Sequence, residues 1–241
     1  MRLDQALVHR NLCISRQEAQ ECIALGYVFV DKVVTYKQIQ QVTESSSLVV
    51  TKNRRFVSRG GEKLEGALFH IYHTEALINQ KLSGKSALDI GSSTGGFTDC
   101  LLRYGVEHVT CIDVGTSQLH PSLQRDTRIT LFETTDIRSF IPVHVFAIIV
   151  ADVSFISLEK IIDIILSFAK EGAEFFLLLK PQFEVGKGNT KKGIVRDHTL
   201  IEEVITKYTA LLQAKGMYAS IFPSSITGGD GNQEFFIYTK K

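Results

Sequence analysis

A glycine-rich segment in the middle of the chain has the residue types and spacing of a ligand-binding loop. Residues 87–97 read Ala-Leu-Asp-Ile-Gly-Ser-Ser-Thr-Gly-Gly-Phe, so an apolar strand pattern enters the loop and a helix pattern leaves it. Glycine lets the backbone approach a ligand closely, and the N-terminus of a helix presents unpaired N–H donors. The segment therefore predicts a small molecule bound against the loop.

Three classes of glycine-rich loop can be compared with this spacing. Dinucleotide-binding enzymes use G-x-G-x-x-G, and phosphate-binding P-loops use G-x-x-x-x-G-K-S. The run Gly84-Lys85-Ser86 has the end of the second motif, but Asn79 stands where its first glycine belongs. The remaining pattern, D-x-G-x-x-x-G-G-F, resembles the loop of Rossmann-like methyltransferases, which implies S-adenosylmethionine as cofactor. The loop residues implied as cofactor contacts are Asp89, Gly91, Ser92, Ser93, Thr94, Gly95, Gly96 and Phe97.

Acidic residues after the next two candidate strands complete the predicted cofactor site. Asp113 ends the second strand pattern, where an acid suits the hydroxyls of a ribose, as in nucleotide-binding folds generally. Asp136 follows the third strand pattern, and we expect it to approach the adenine.

Alternating strand and helix patterns must position these residues. Candidate strands cover 86–90, 108–113, 129–132, 146–151 and 173–179, and candidate helices cover 97–104, 156–170 and 198–215. The alternation predicts a parallel sheet, and segments 217–222 and 233–239 predict a hairpin at its end. The predicted fold class is therefore α/β: a Rossmann-like sheet with helices on both faces, of the methyltransferase type that the loop resemblance implies, plus a small N-terminal α+β module.

The N-terminal segment 1–51 reads as that module, 52–58 as a basic linker and 59–241 as the catalytic domain. Residues 1–59 hold 9 Lys/Arg and 5 Asp/Glu, whereas the remainder holds 18 and 21. The runs Arg2-Leu3-Asp4 and Ser15-Arg16, followed by Ala19, Ile23, Gly26, Val28 and Val30, resemble the αL-type RNA-binding module named after the fourth small-subunit ribosomal protein. Asp31-Lys32 stands where that family usually has Asn-Gly. The candidate RNA contacts are Arg2, Arg10, Arg16, Lys32, Lys37, Arg54, Arg55 and Arg59.

Six further segments resemble one methyltransferase family. They are 57–61, 89–101, 150–158, 179–188, 193–197 and 228–235. Together they are similar to the TlyA or haemolysin A family of ribosomal RNA methyltransferases, whose catalytic domain is of the FtsJ type. The resemblance implies S-adenosylmethionine-dependent 2′-O-methylation of a cytidine ribose in ribosomal RNA, in the cytoplasm. It places a catalytic Lys-Asp-Lys-Glu set at Lys63, Asp152, Lys180 and Glu234.

The sequence context of that set suits the chemistry. Asp152 and Lys180 each follow an apolar strand pattern, at the strand ends where open α/β sheets bind ligands. A ribose 2′-hydroxyl is a poor nucleophile until its proton is removed. A free lysine has a pKa near ~10.4, which burial and a nearby cation lower. We expect Asp152 to hold Lys180 and Glu234 to anchor Lys63 or the ribose; the alternative is a purely structural Asp152–Lys180 ion pair.

Two other functions stay open: a non-catalytic RNA-binding or ribosome assembly factor, and a membrane-damaging haemolysin. No apolar run approaches the ~20 residues of a membrane helix. The four cysteines form no C-x-x-C pair, and His70 and His73 lack an evident third ligand, so no metal is predicted. Lys187, Lys191, Lys192 and Arg196 form a basic segment that either contacts RNA or is merely solvated. The short ends of the chain resemble the family's shorter form, which implies large-subunit RNA as substrate.

Overall fold

The computed structural model describes residues 1–24, 27–51, 55–186 and 188–241. It divides into two compact units, Met1–Ser58 and Arg59–Lys241. Each unit has its own cluster of buried apolar side chains. The predicted linker 52–58 falls within the first unit, and Lys52, Asn53 and Arg54 lie outside the described residues, so its role as a linker stays a prediction.

The first unit packs two helices on a three-stranded antiparallel sheet. The helices are α1 (Leu3–His9) and α2 (Arg16–Ala24); the strands are β1 (Val28–Val30), β2 (Val33–Val34) and β3 (Leu48–Val50), in the order β2-β1-β3. Asp31 and Lys32 connect β1 to β2 with φ angles of 51° and 69°. A two-residue hairpin turn needs positive φ at both positions, which is why Asn-Gly is common there. Gly26, which the sequence resemblance to the RNA-binding module includes, lies outside the described residues.

The second unit is built on a seven-stranded mixed sheet, which confirms the predicted fold class. Its strands are β4 (Ser86–Ile90), β5 (His108–Ile112), β6 (Ile129–Phe132), β7 (Phe146–Ala151), β8 (Ala169–Leu179), β9 (Ala219–Pro223) and β10 (Phe235–Lys240). The order is β6-β5-β4-β7-β8-β10-β9, in which β4 to β8 pair in parallel and β10 is antiparallel to both neighbours. Parallel strands end at one edge of a sheet, and that edge is where a ligand binds.

In the described part of this unit, six α-helices accompany the sheet. They are α3 (Arg59–Tyr72), α4 (Glu75–Leu82), α5 (Gly96–Arg103), α6 (Ile162–Ser167), α7 (Pro181–Glu184) and α8 (His198–Gln213). Alternate residues of β4 meet different partners, because strand side chains alternate between the two faces. Leu88 and Ile90 join a core that includes residues of α6 and α8, whereas Asp89 contacts Thr98 of α5.

The predicted helix 156–170 and the predicted start of β8 at residue 173 are wrong. The helix region contains only a 3₁₀ turn (Leu158–Lys160) and α6, and β8 begins at Ala169. Ala169 pairs with Phe146 across a register shift in the β7–β8 ladder. The residues between Ala169 and Ala173 are exposed and show no alternation of apolar side chains. The sequence pattern therefore does not indicate that the strand begins at Ala169.

Candidate active site

The glycine-rich loop between β4 and α5 has a backbone that only glycine fits at two places. Gly91 has a φ of +77°, and a Cβ there would lie 2.4 Å from the backbone oxygen of Asp152. Gly95, the N-cap of α5, has a φ of +89°, and its Cβ would lie 2.5 Å from the side chain of Leu123. Two backbone hydrogen bonds close the loop, from Gly91 N to Ile112 O at 2.8 Å and from Gly95 N to Ser92 O at 2.7 Å.

A cavity of about 630 Å³ opens beside this loop at the carboxyl edge of the parallel strands. Its size falls in the range of small-molecule sites. Four of the predicted cofactor residues line it: Gly91, Ser93, Asp113 and Asp136. The other six do not line it: Asp89, Ser92, Thr94, Gly95, Gly96 and Phe97. Asp152 and the segment that follows it form another wall.

The two acids that line the cavity differ in their partners. Asp113 accepts hydrogen bonds at 2.7 Å from the N–H groups of Ser93 and Gly115, so it also holds the loop in place. A carboxylate has about four lone-pair positions, which leaves acceptors for ligand hydroxyls. Asp136 pairs with Arg138 at 2.5 Å. Hydrogen bonds from Arg138 lower the pKa of Asp136 to about 2, so the carboxylate stays ionised at neutral pH.

Asp89 lies beneath the loop and is fully buried. Its Oδ2 accepts a hydrogen bond from the Thr98 hydroxyl at 2.6 Å, and its Oδ1 has no hydrogen-bond partner in the described part of the chain. Burial, reinforced by the charge of Asp152, raises the pKa of Asp89 to about 7 despite the hydrogen bond from Thr98. This position supports the loop from below, and a direct contact of Asp89 with the cofactor stays a prediction.

Two lysine–carboxylate pairs contain the four predicted catalytic residues. Lys63 Nζ, in the first turns of α3, lies 2.5 Å from Glu234 Oε2, and both side chains are buried. Lys180 Nζ lies 2.5 Å from Asp152 Oδ1 and donates to the Ser154 hydroxyl at 2.9 Å. The pairings are those that the sequence predicts, and the catalytic roles stay predictions.

Strand geometry explains why residues so far apart in the chain reach one region. Asp152 directly follows β7, and Lys180 directly follows its parallel neighbour β8. Glu234 precedes β10, whose first residue, Phe235, pairs with Leu179. The end of β8 and the start of β10 therefore lie side by side, because the two strands are antiparallel.

Several predicted RNA contacts already have partners within their own unit. Arg10 donates to the backbone oxygens of Thr43, Glu44 and Ser46 at 2.7–3.0 Å. Arg2 and Arg16 flank the buried carboxylate of Asp4. Burial opposes ionisation of Asp4, but hydrogen bonds from Gln20, Arg16 and Arg2 outweigh it and lower its pKa to about 2. These arginines therefore stabilise the first unit.

The remaining candidates differ in their surroundings. Lys32 and Lys37 are exposed, Arg55 lies over the Phe56 ring, and Arg59 donates to the Thr227 oxygen at 2.6 Å. Arg54 lies outside the described residues. RNA contact by any of them stays a prediction.

Sequence reasoning missed three residues near the site. Phe155 is 93% exposed with a φ of +65° at the cavity wall, and an exposed ring is a surface on which a base can stack. Asn232 is buried and fixes the basic segment: it accepts from Val195 N and donates to Gly193 O, both at 2.9 Å. Glu184 connects two chain segments that carry the site. Exposure and long-range hydrogen bonds leave no pattern in a sequence, so no signal could have found them.

Among the residues that the structure describes, no group of three or more His, Cys, Asp or Glu is arranged to hold a metal ion. None of their helices is both long and apolar enough to cross a membrane.

Comparison with known families defines the class of protein to which this fold and site belong. Residues 56–241 match the FtsJ-like methyltransferase family, and residues 1–44 match the S4 domain. The chain therefore belongs to the FtsJ-like methyltransferases.

The similar proteins narrow the class further. The chain is 37% identical over 246 residues to a Mycobacterium tuberculosis protein named 16S/23S rRNA (cytidine-2′-O)-methyltransferase TlyA, with 99% of this chain and 89% of that protein covered. It is 41% identical over 190 residues to a Campylobacter jejuni protein named 23S rRNA (cytidine-2′-O)-methyltransferase TlyA, covering 74% of each. A solved Streptococcus thermophilus structure matches 100% of this chain with a TM-score of 0.76 and 32% identity, over 88% of its own length. The chain is a member of the TlyA family, as the sequence resemblance predicts.

Proposed function

We propose that this chain methylates the 2′-hydroxyl of a cytidine ribose in ribosomal RNA. The observation that carries the proposal is the pair of lysine–carboxylate contacts, Lys63–Glu234 and Lys180–Asp152. Of these four residues, Asp152 also lines the cavity. The names of the two relatives supply the substrate class.

The residues of the cavity suit S-adenosylmethionine as cofactor. Asp113 offers carboxylate acceptors to ribose hydroxyls, and Asp136 stays ionised beside the region that would take the adenine. Gly91 leaves room where any side chain would meet the Asp152 backbone. The bound cofactor supplies a methyl group already activated by its sulfonium, so the protein has mainly to orient the hydroxyl and manage its proton.

Lys180 is the residue we assign to the substrate hydroxyl. Its Nζ is fixed by Asp152 and Ser154, and it is suited to orient the 2′-hydroxyl or to take its proton when neutral. Lys63 and Glu234 form a second, buried pair that keeps a cation and a carboxylate ready to bind the ribose or its phosphates. The S4-type unit provides affinity for the folded RNA of a ribosomal subunit, which makes the cytoplasm the expected location.

Transfer of a labelled methyl group to undermethylated ribosomal RNA tests the proposal. We expect Lys180→Ala to lower kcat by about 10²- to 10⁴-fold, the usual contribution of a proton-transfer group, with RNA affinity retained. Lys215→Ala is the matched control, because exposed Lys215 pairs with Asp163 and neither residue lines the cavity. Methyl transfer at the wild-type rate by Lys180→Ala would contradict the assignment; RNA binding without any transfer by the wild type would favour an assembly factor.

The names of the relatives also bear on which of the two ribosomal RNAs is the substrate. Both relatives carry 23S in their names, and one also carries 16S. Large-subunit RNA is therefore the substrate that we propose. Mapping 2′-O-methyl groups in both RNAs, with and without the enzyme, decides it, and an enzyme-dependent mark on small-subunit RNA would contradict the narrower proposal.

A further inference from the structure

A carboxylate outside the four-residue set connects the segments that carry Lys180 and Asp152. Glu184 ends α7, the short helix that begins directly after Lys180. Its Oε1 accepts from Leu158 N at 3.0 Å, and its Oε2 accepts from the Ser157 hydroxyl at 2.7 Å. Ser157 ends the irregular segment that starts at Asp152, and Leu158 begins the 3₁₀ turn that follows it. Glu184 thus holds the far end of that segment, and the bond from Asp152 N to Ile90 O at 2.9 Å holds its beginning.

A buried tyrosine completes the network. The Tyr208 hydroxyl donates to Glu184 Oε2 at 2.8 Å and accepts from Glu159 N at 2.8 Å. The Tyr208 side chain is fully buried in α8. Burial, with the Glu184 charge, raises the pKa of Tyr208, so the hydroxyl remains a proton donor at physiological pH. Hydrogen bonds to a carboxylate are directional and about twice as strong as neutral ones, which suits a positioning role.

We propose that Glu184, together with Tyr208, is a positioning residue that keeps Lys180 Nζ against Asp152 and Ser154. The proposal rests on the methyl transfer proposed above. Ser154 contacts Lys180 at 2.9 Å and lies only three residues before Ser157, within a segment that has no helix or strand. Loss of the Glu184 contacts releases one end of that segment. A shift of about 1 Å in a reacting group can lower a rate by about 10²-fold.

A second carboxylate in the same sheet provides an internal comparison. Glu174, in β8, accepts hydroxyl hydrogen bonds from Tyr72 and Tyr238 at 2.8 Å each. The chemistry resembles that of Glu184 and Tyr208, but the partners of Glu174 are Tyr72, Lys85, Tyr238 and Lys240, and none of them belongs to the segment that starts at Asp152. Tyr238→Phe is therefore the matched control for Tyr208→Phe, since each removes one hydroxyl that donates to a carboxylate.

The experiment compares methyl transfer by the full-length wild type, Glu184→Ala, Glu184→Gln, Tyr208→Phe and Tyr238→Phe. Rates are expressed per cofactor-binding site counted by calorimetry, so a loss of folded protein does not lower them. We expect kcat to fall by about 10- to 100-fold in Glu184→Ala and less in Glu184→Gln, which keeps one acceptor oxygen. The affinity for S-adenosylmethionine should change by less than about threefold, and Tyr238→Phe should retain the wild-type kcat. Wild-type kcat in both Glu184→Ala and Tyr208→Phe overturns the proposal, and so does an equal loss of kcat in Tyr238→Phe.

A spectroscopic measurement separates this proposal from the proposed function. In protein labelled with ¹³C-lysine, the Lys180 Cε resonance is assigned by its absence from Lys180→Arg. The Lys180 resonance should shift or broaden in Glu184→Ala and Tyr208→Phe and stay unchanged in Tyr238→Phe. An unchanged resonance in the first two variants refutes positioning even if the wild type transfers no methyl group. A wild type without transfer activity, but with the expected spectral change, refutes only the proposed reaction.

Discussion

At the scale of single residues, two aspartates beside the glycine-rich loop have different surroundings. Asp113 faces the cavity and fixes the loop through the N–H groups of Ser93 and Gly115. Asp89 is buried below the loop and takes a hydrogen bond from Thr98. The first is suited to bind a ligand, and the second to support the backbone that shapes the site.

Asp113→Asn should weaken the binding of S-adenosylmethionine. Asparagine has one acceptor oxygen instead of two, so one of the two loop N–H groups loses its partner and the ribose hydroxyls lose a charged acceptor. Hydrogen bonds to a charged group contribute about 1.5–3 kcal/mol, so we expect affinity to fall by at least tenfold in calorimetry. Asp126→Asn is the control, because Asp126 pairs with Arg128 outside the cavity. Equal affinity of the wild type and Asp113→Asn would remove Asp113 from the cofactor site.

Asp89 predicts a pH dependence of folding stability. Its pKa is raised to about 7 in the folded chain by burial, above the ordinary value of 3.8. The folded state therefore holds a proton that the unfolded state has released, and the free energy of unfolding should fall as pH rises from about 4 to about 7, by at most about 1.4 kcal/mol per pH unit. Asp89→Asn imitates the neutral acid and should flatten this part of the profile. Urea unfolding at a series of pH values measures it, and parallel profiles for the two proteins would contradict the assignment.

At the scale of elements, the segment after α7 joins the site to a basic surface. Lys191, Lys192 and Arg196 are exposed, and buried Asn232 fixes the segment between them to the turn before Glu234. Lys187, the fourth cation of the predicted basic segment, lies outside the described residues. A fixed loop holds its charges in place without the entropy cost of ordering them on binding, which favours an RNA contact over a merely solvated loop.

Lys191→Glu/Lys192→Glu should therefore weaken RNA binding. Two lost cations should lower the dependence of log affinity on log salt by about 1.4 to 1.8, because about 0.7 to 0.9 counterions are released per phosphate contact. Filter binding at several salt concentrations measures both affinity and slope. Lys81→Glu/Lys170→Glu is a matched control at exposed positions of α4 and β8. If the loop variant keeps the wild-type dependence of log affinity on log salt, the segment is a solvated loop that does not contact RNA.

At the scale of the whole molecule, charge is divided between the two units of the chain. Met1–Ser58 carries a net charge of +3 (8 basic and 5 acidic residues) and Arg59–Lys241 one of −2 (19 and 21). Three of the arginines in the first unit are engaged by its own backbone or by Asp4, so its exposed lysines are the better candidates for RNA contact.

Lys32→Glu/Lys37→Glu should lower RNA affinity and leave cofactor binding intact. Both lysines are exposed in the first unit, whereas the residues that we propose to bind the cofactor all belong to the second. Calorimetry with S-adenosylmethionine and salt-dependent RNA binding, performed on the same preparation, separate the two effects. Unchanged RNA affinity would exclude these two lysines as contacts, and weakened cofactor binding would contradict the division of roles between the units.

The sequence by itself determined what depends on local pattern. The D-x-G-x-x-x-G-G-F loop and the strand–helix alternation were readable from it, because backbone requirements and hydrophobic periodicity are written in neighbouring residues. The family and the four-residue set were implied by the resemblance of longer segments. The Asp152–Lys180 pairing suits two strands that end at one edge, whereas Glu234 was expected to anchor either Lys63 or the ribose. Where the pattern was absent, as in the first residues of β8, the prediction failed.

Only the tertiary structure decided how distant segments share partners. Asp89 is buried instead of facing the cavity, and Arg10 donates hydrogen bonds to backbone oxygens. The Phe155 ring is exposed. Hydrogen bonds also join Glu184 to Ser157 and Asn232 to Val195, across 27 and 37 residues of chain. Burial and such hydrogen bonds depend on how strands and loops pack in space, and one sequence contains no local signal of that packing.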